Sequence, residues 1–239
     1  MTDTKLEDLA SLQRALKILH EQYQVPNVVI TSIPLNPWLA SALPTSIRPL
    51  SPNISTSSSS SSSSFPSSRS SSPIERSDHT AADAYILCIS SAIDPMSHHH
   101  HHPSTSFSTV HAQVVPLVPG YFSGVGDVFS ALLLAHFHPS ASPAPPSPIS
   151  TPLSRATSLA LTKTHRLLVF THSLTLALPE EERLPTDDEL DREMPLRKTR
   201  RMRGRELALI KGQGIIRGEE GGERREMILW DQFWELENY

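Results

Sequence analysis

Leu6, Leu9, Leu12, Leu16 and Leu19 recur at spacings of three and four, with Lys5, Glu7, Arg14 and Lys17 between them. That period places one apolar stripe on an amphipathic helix, predicted from about Lys5 to Gln24. Pro26 stops it, because proline has no N–H to donate and clashes with the preceding turn. The apolar run Val28-Val29-Ile30 follows as a short strand of the kind buried in a parallel sheet, so helix and strand together read as half of a βαβ unit. Further along, Ala84–Ser90 (AYILCIS) predicts another strand. From Thr109 to Val118 apolar and polar residues alternate loosely, as in a strand. A glycine-punctuated turn over Gly120–Asp127 comes next, then an apolar helix to about Phe137 and a second helix at about Leu153–Leu178.

Between these blocks the pattern breaks. Residues 36–81 hold several prolines and eight consecutive serines, Ser57–Ser64. Such a stretch has too little apolar surface to offset its ordering entropy, so a disordered insertion is expected. Residues 94–106 contain five adjacent histidines, His98–His102. They can chelate a divalent ion without forming an evolved site, and no metal ligand is assigned to them. Residues 139–152 read as a Pro/Ser linker, and residues 179–199 as a solvated loop that turns from acidic to basic. Trp230, Phe233 and Trp234 are expected to pack the C-terminus onto the core.

Composition narrows the class. The 239 residues carry a net charge of −4, which argues against a general nucleic-acid binder. One cysteine, Cys88, excludes an internal disulfide and fits a reducing compartment. The polar, acidic N-terminus does not resemble a signal peptide. No apolar run reaches the roughly 18 residues of a membrane span. The expectation is a soluble protein without a membrane or nucleic-acid partner, located in the cytoplasm or also the nucleus.

The chemistry concentrates in Gly124-Val125-Gly126-Asp127. Glycines here allow close approach of a ligand. The helix start offers unpaired N–H groups and the positive end of its dipole to an anion. Asp127, on the first turn, is placed to take a proton from an attacking hydroxyl. The plainer alternative is a turn whose Asp caps the helix, with no ligand.

This segment resembles the anion-hole motif, usually GTGD or GAGD, of the ribokinase-like small-molecule kinases. It is most similar to the pyridoxal kinases, the fungal members in particular. Three more stretches agree in the same order: Asp8–Ser32, which ends in a Thr-Ser pair, Thr162–Leu178 and Arg200–Gly218. The resemblance implies an α/β fold of the ribokinase-like three-layer α/β/α type. It also implies that the N-terminal half is missing from this chain, with the Ser/Pro-rich segments as insertions in one partial kinase domain over 1–239.

The same resemblance implies ATP-dependent phosphorylation of the 5′-hydroxyl of pyridoxal, pyridoxine or pyridoxamine, with ATP and Mg²⁺ as cofactors. Asp127 matches the family's catalytic base, and Gly124, Val125 and Gly126 match its anion hole. Thr31, Ser32, Val118, Pro119 and Gly120 match nucleotide-contacting positions. A homodimer is implied as well. Val125 departs from the usual Thr, removing a hydroxyl that could reach phosphate, for an expected loss of about 1–2 kcal/mol in nucleotide affinity. No Asn-x-x-Glu metal motif precedes Asp8, so the family's Mg²⁺ ligands are unmatched. Two alternatives stay open: a related kinase such as a hydroxymethylpyrimidine kinase, and a non-catalytic nucleotide-binding or scaffold remnant.

Overall fold

The computed structural model describes residues 4–49, 85–93, 107–139, 150–183, 204–219 and 221–235, with scattered positions between 192 and 202. The His tract lies outside the described residues, as do 50–84 and 140–149.

Asp8 opens the first helix, α1 (Leu9–Lys17), through a capping box: its carboxylate accepts from the Ser11 N–H at 2.7 Å, and Ser11 Oγ accepts from the Asp8 N–H at 3.1 Å. The helix continues as a π-helical turn, Ile18–Gln22, and ends before Pro26. Leu12 and Leu16, from the leucine stripe, are fully buried.

Four strands follow, β1 (Asn27–Pro34), β2 (Tyr85–Ala92), β3 (Thr109–Pro116) and β4 (Ile228–Leu229), arranged in the order β1-β2-β3-β4. Every pairing is antiparallel, which corrects the expectation of a parallel βαβ unit. The apolar runs do report burial on both faces of the sheet, but such burial does not fix strand direction. Leu87 and Ile89 join a core with Leu12, Leu16, Leu39, Trp230 and Phe233. Their neighbours Ile86 and Cys88 join a second core with Phe129, Leu132, Ala160 and Leu161. Strand alternation thus sends successive side chains to opposite faces, each covered by helices.

The first face is covered by α1, the C-terminal aromatics and a short helix α2 (Pro37–Ala42), whose Leu39 is buried beside Leu35, Leu43 and Ile47. This part of 36–81 is ordered, contrary to the disordered insertion expected there. The i, i+4 spacing of Leu39 and Leu43 supplies an apolar stripe that the flanking prolines conceal. The second face is covered by α3 (Val125–His136) and α4 (Pro152–Leu176). Two short helices complete the set, α5 (Glu180–Arg183) and α6 (Gln213–Arg217). Among the described residues, no helix is long and apolar enough to cross a membrane.

β1 carries a bulge. It advances from Ile30 to Ile33 while β2 moves only from Ile89 to Leu87, which inserts one extra residue around Thr31 and Ser32. Before the bulge Val28 and Ile30 face the first core; after it Ile33 and Leu35 do.

α4 is docked by its hydroxyls. Ser158 Oγ and Thr162 Oγ1 accept from the backbone N–H groups of Met227 and Arg225, both at 2.9 Å. Thr171 Oγ1 accepts from the Ala208 N–H at 3.1 Å, and Lys163 Nζ donates to the Ile216 carbonyl at 2.6 Å. These bonds tie the C-terminal segment along the helix.

Candidate functional site

β3 delivers the chain to the glycine turn, and α3 leaves it. Gly124 is the N-cap residue, with φ 81°, and no side chain caps the helix. That left-handed conformation is open to glycine and strained for other residues. Asp127 is the third residue of the helix, on its first turn, and is exposed, and it accepts no hydrogen bond from a first-turn N–H among the described residues. The first N–H groups of a helix have no acceptor within it. The first bond closing the turn is Val128 N–H to the Gly124 carbonyl, at 3.0 Å. A Cβ added at Gly126 would meet nothing within 4 Å, so the space before the turn is open. The loop is held from behind, where the Ser123 N–H donates to the Arg205 carbonyl at 2.8 Å and Arg205 lies over the Tyr121 ring at 5.8 Å.

A cavity of about 330 Å³ opens beside this turn. Val125 and Gly126 line it, together with Thr31 and Ser32 from the β1 bulge and Val118 and Gly120 from the loop after β3. Ser32 has φ 59°, one of two positive-φ residues other than glycine among those described. Backbone strain of this kind, on the order of 1–3 kcal/mol, persists where surrounding structure enforces it and clusters at binding sites. Pro119 lines an adjoining pocket that shares Gly120, Tyr121 and Phe122. Gly124 and Asp127 are at the helix start but not in the cavity wall.

The rest of the wall is largely apolar: Ile86, Val115, Leu117, Phe129, Leu161 and Leu168. Cys88 is in it too, with its thiol pushed up to about 12 by burial, so it is no nucleophile. Thr164 and His165 of α4 complete the lining. Burial, with the charge of Arg225 adding to it, pushes the His165 imidazole down to about 4, so the ring is neutral at physiological pH. Among the described residues no group of three or more His, Cys, Asp or Glu side chains could hold a metal ion.

No family model and no curated protein matches the chain. Solved structures do. Pyridoxal kinase from Leishmania donovani in complex with ADP matches over 95% of this chain and 47% of its own, at 16% identity and a TM-score of 0.48. The same kinase with ADP and pyridoxamine gives 16% identity and a TM-score of 0.44 over 95% and 47%. Pyridoxal kinase from Trypanosoma brucei matches over 61% of this chain and 35% of its own, at 18% identity and a TM-score of 0.33. These structures are pyridoxal kinases. The chain spans about half the length of the Leishmania kinase. These are remote likenesses, and they assign no role to any residue.

The sequence pattern singled out the turn and the resemblance the Thr-Ser pair, but both missed the contribution of α4. Its segment Thr162–Leu178 stood out as a helix and as one block of the resemblance, with no residue of it marked for the site. Thr164 and His165 are ordinary helix-surface types, and what sets them apart is packing against Pro116 and the cavity.

Proposed function

We propose that this chain supplies the nucleotide side of a ribokinase-like small-molecule kinase of the pyridoxal kinase type, acting on the 5′-hydroxyl of pyridoxal, pyridoxine or pyridoxamine. The observation that carries this reading is the uncapped, positive-φ glycine start of α3 opening beside a cavity that also takes in the strained Thr31-Ser32 bulge. The ordered series of four sequence blocks, nearest the fungal kinases, supports it.

In this reading the N–H groups of Val125 and Gly126 receive the nucleotide's terminal phosphate, and the dipole of α3 favours its charge. Thr31, Ser32 and the Val118–Gly120 loop bound the rest of the nucleotide. The substrate hydroxyl oxygen attacks the γ-phosphorus, its proton passes to the Asp127 carboxylate, and the bond from the γ-phosphorus to the bridging oxygen breaks to release ADP. Fixed donors aimed at the transferred oxygens stabilise the charge that develops there. A homodimer and a cytoplasmic or nuclear location belong to the same proposal.

The test is formation of pyridoxal 5′-phosphate from ATP and pyridoxal by the purified chain, beside Asp127→Asn and beside ADP titrations of both. The expected outcome is ADP binding in both, with turnover lower in the variant by a factor on the order of 10²–10⁴. Equal turnover in the variant removes Asp127 from the role of base. ADP binding without turnover in either favours the non-catalytic nucleotide-binding reading.

A further inference from the structure

Along α4, hydroxyls follow a rule and bond back to the preceding turn, Ser154 and Ser173 to the carbonyl three residues back. Thr157, Ser158, Thr162, Thr171 and Thr175 each donate to the carbonyl four residues back, at 2.7–3.0 Å. Thr164 breaks it. Its side chain is only 4% exposed, yet Oγ1 has no hydrogen-bond partner among the described residues. The next residue does the same. His165 Nε2 is buried without a partner, while the ring bonds the Pro116 carbonyl. Since Nε2 is the unpartnered nitrogen, the Pro116 bond is made by Nδ1–H, and Nε2 keeps a lone pair that can only accept. Buried polar atoms are nearly always paired, so two adjacent exceptions on one helix call for an explanation. Both residues line the cavity beside the glycine turn, among walls that are otherwise largely apolar.

We propose that Thr164 and His165 read the base of the bound nucleotide and select a 6-aminopurine over a 6-oxopurine. This rests on the nucleotide reading of the cavity. The apolar walls, Leu161, Leu168 and Phe129 among them, suit a flat heterocycle. Adenine carries an exocyclic amine donor beside a ring-nitrogen acceptor on one edge. The amine donates to His165 Nε2, and the Thr164 hydroxyl donates to the ring nitrogen. A 6-oxopurine turns a carbonyl lone pair toward the imidazole lone pair, so both acceptors lose their partner. Because the ring is held neutral by burial and by Arg225, Nε2 does not escape this conflict by taking up a proton near neutral pH.

The experiment is titration of the full chain with ADP and with inosine 5′-diphosphate, which differs in carrying the 6-oxo group. Wild type should prefer ADP by about tenfold or more, since a site built to hydrogen-bond one group rejects the analogue lacking it. His165→Phe, which keeps the ring volume, should bring the two dissociation constants to within about threefold, chiefly by weakening ADP. Thr164→Val, nearly isosteric, should reduce the preference in the same direction and guards against a folding defect in the first variant. A structural role for either residue would weaken both nucleotides equally, and that result overturns the inference while leaving nucleotide binding in place. An unchanged preference in both variants overturns it likewise. If wild type binds neither nucleotide, the functional reading falls and this inference falls with it.

Discussion

The two faces of the sheet treat their buried polar groups differently. On the face under α1, α2 and the C-terminal aromatics, His20 uses both ring nitrogens, with Val25 O at 2.6 Å and Ser91 Oγ at 2.8 Å, and Ser91 reaches Ser108 at 2.8 Å. Gln13 donates to the Phe233 carbonyl, and Trp234 Nε1 donates to the Ser108 carbonyl at 2.9 Å. Trp230 Nε1 is the exception there. Under α3 and α4, Ser90 Oγ, His136 Nε2, Thr164 Oγ1 and His165 Nε2 all lack partners among the described residues. A buried polar atom left unpaired costs roughly 1–3 kcal/mol. One face closes nearly all its polar groups by folding, while on the other Thr164 Oγ1 and His165 Nε2 stay open at the cavity wall.

The sharpest way to break that contrast is Phe233→Ala. Phe233 is fully buried, with ring centroids 4.9 Å from Trp230 and 4.8 Å from Trp234. Its loss should lower stability by about 3–5 kcal/mol in urea denaturation while leaving the ADP affinity of the folded fraction unchanged. Gly124→Ala tests the other face. Forcing a Cβ into the left-handed region should lower stability by about 1–2 kcal/mol and also weaken ADP; unchanged affinity would remove the α3 start from phosphate binding. Ser32→Gly relieves strain at the bulge and should raise stability by about 0.5–1 kcal/mol, with a gain absent if the bulge is unstrained.

The pH response should come mainly from the second face. The unfolded His165 ring takes its proton near 6.5 and the folded ring at about 4. Between those values the unfolded state binds more protons, so stability falls as pH drops through this window. His136, pushed down by burial and then by Lys163 and His138, adds in the same direction, as does buried His20 from the first face. Urea midpoints measured from pH 6.5 to 4 should fall less steeply in His165→Phe than in wild type.

Much of this was legible in the residues. The leucine spacing of α1, the stop at Pro26 and the aromatic C-terminus all report local rules, and the structure follows them. The glycine turn was legible because positive φ demands glycine at Gly124. Strand direction was not, since Val28-Val29-Ile30 would look the same in either kind of sheet once both faces are covered. α2 was hidden because Leu39 and Leu43 sit among prolines. The roles open to Thr164 and His165 depend on which carbonyls lie within reach after α4 docks. No spacing along the chain encodes that.

The β1 bulge has a consequence for how the chain tolerates length changes. Even-numbered residues, Val28 and Ile30, serve the first core before it, and odd-numbered ones, Ile33 and Leu35, serve it after. The strand therefore keeps count modulo two across Thr31 and Ser32. Deleting a single residue there would remove the extra residue and leave Ile30 and Ile33 two apart, so a regular strand would keep both on the first core and lose the bulge instead. The pair that borders the cavity is also the point at which the strand's arithmetic is set.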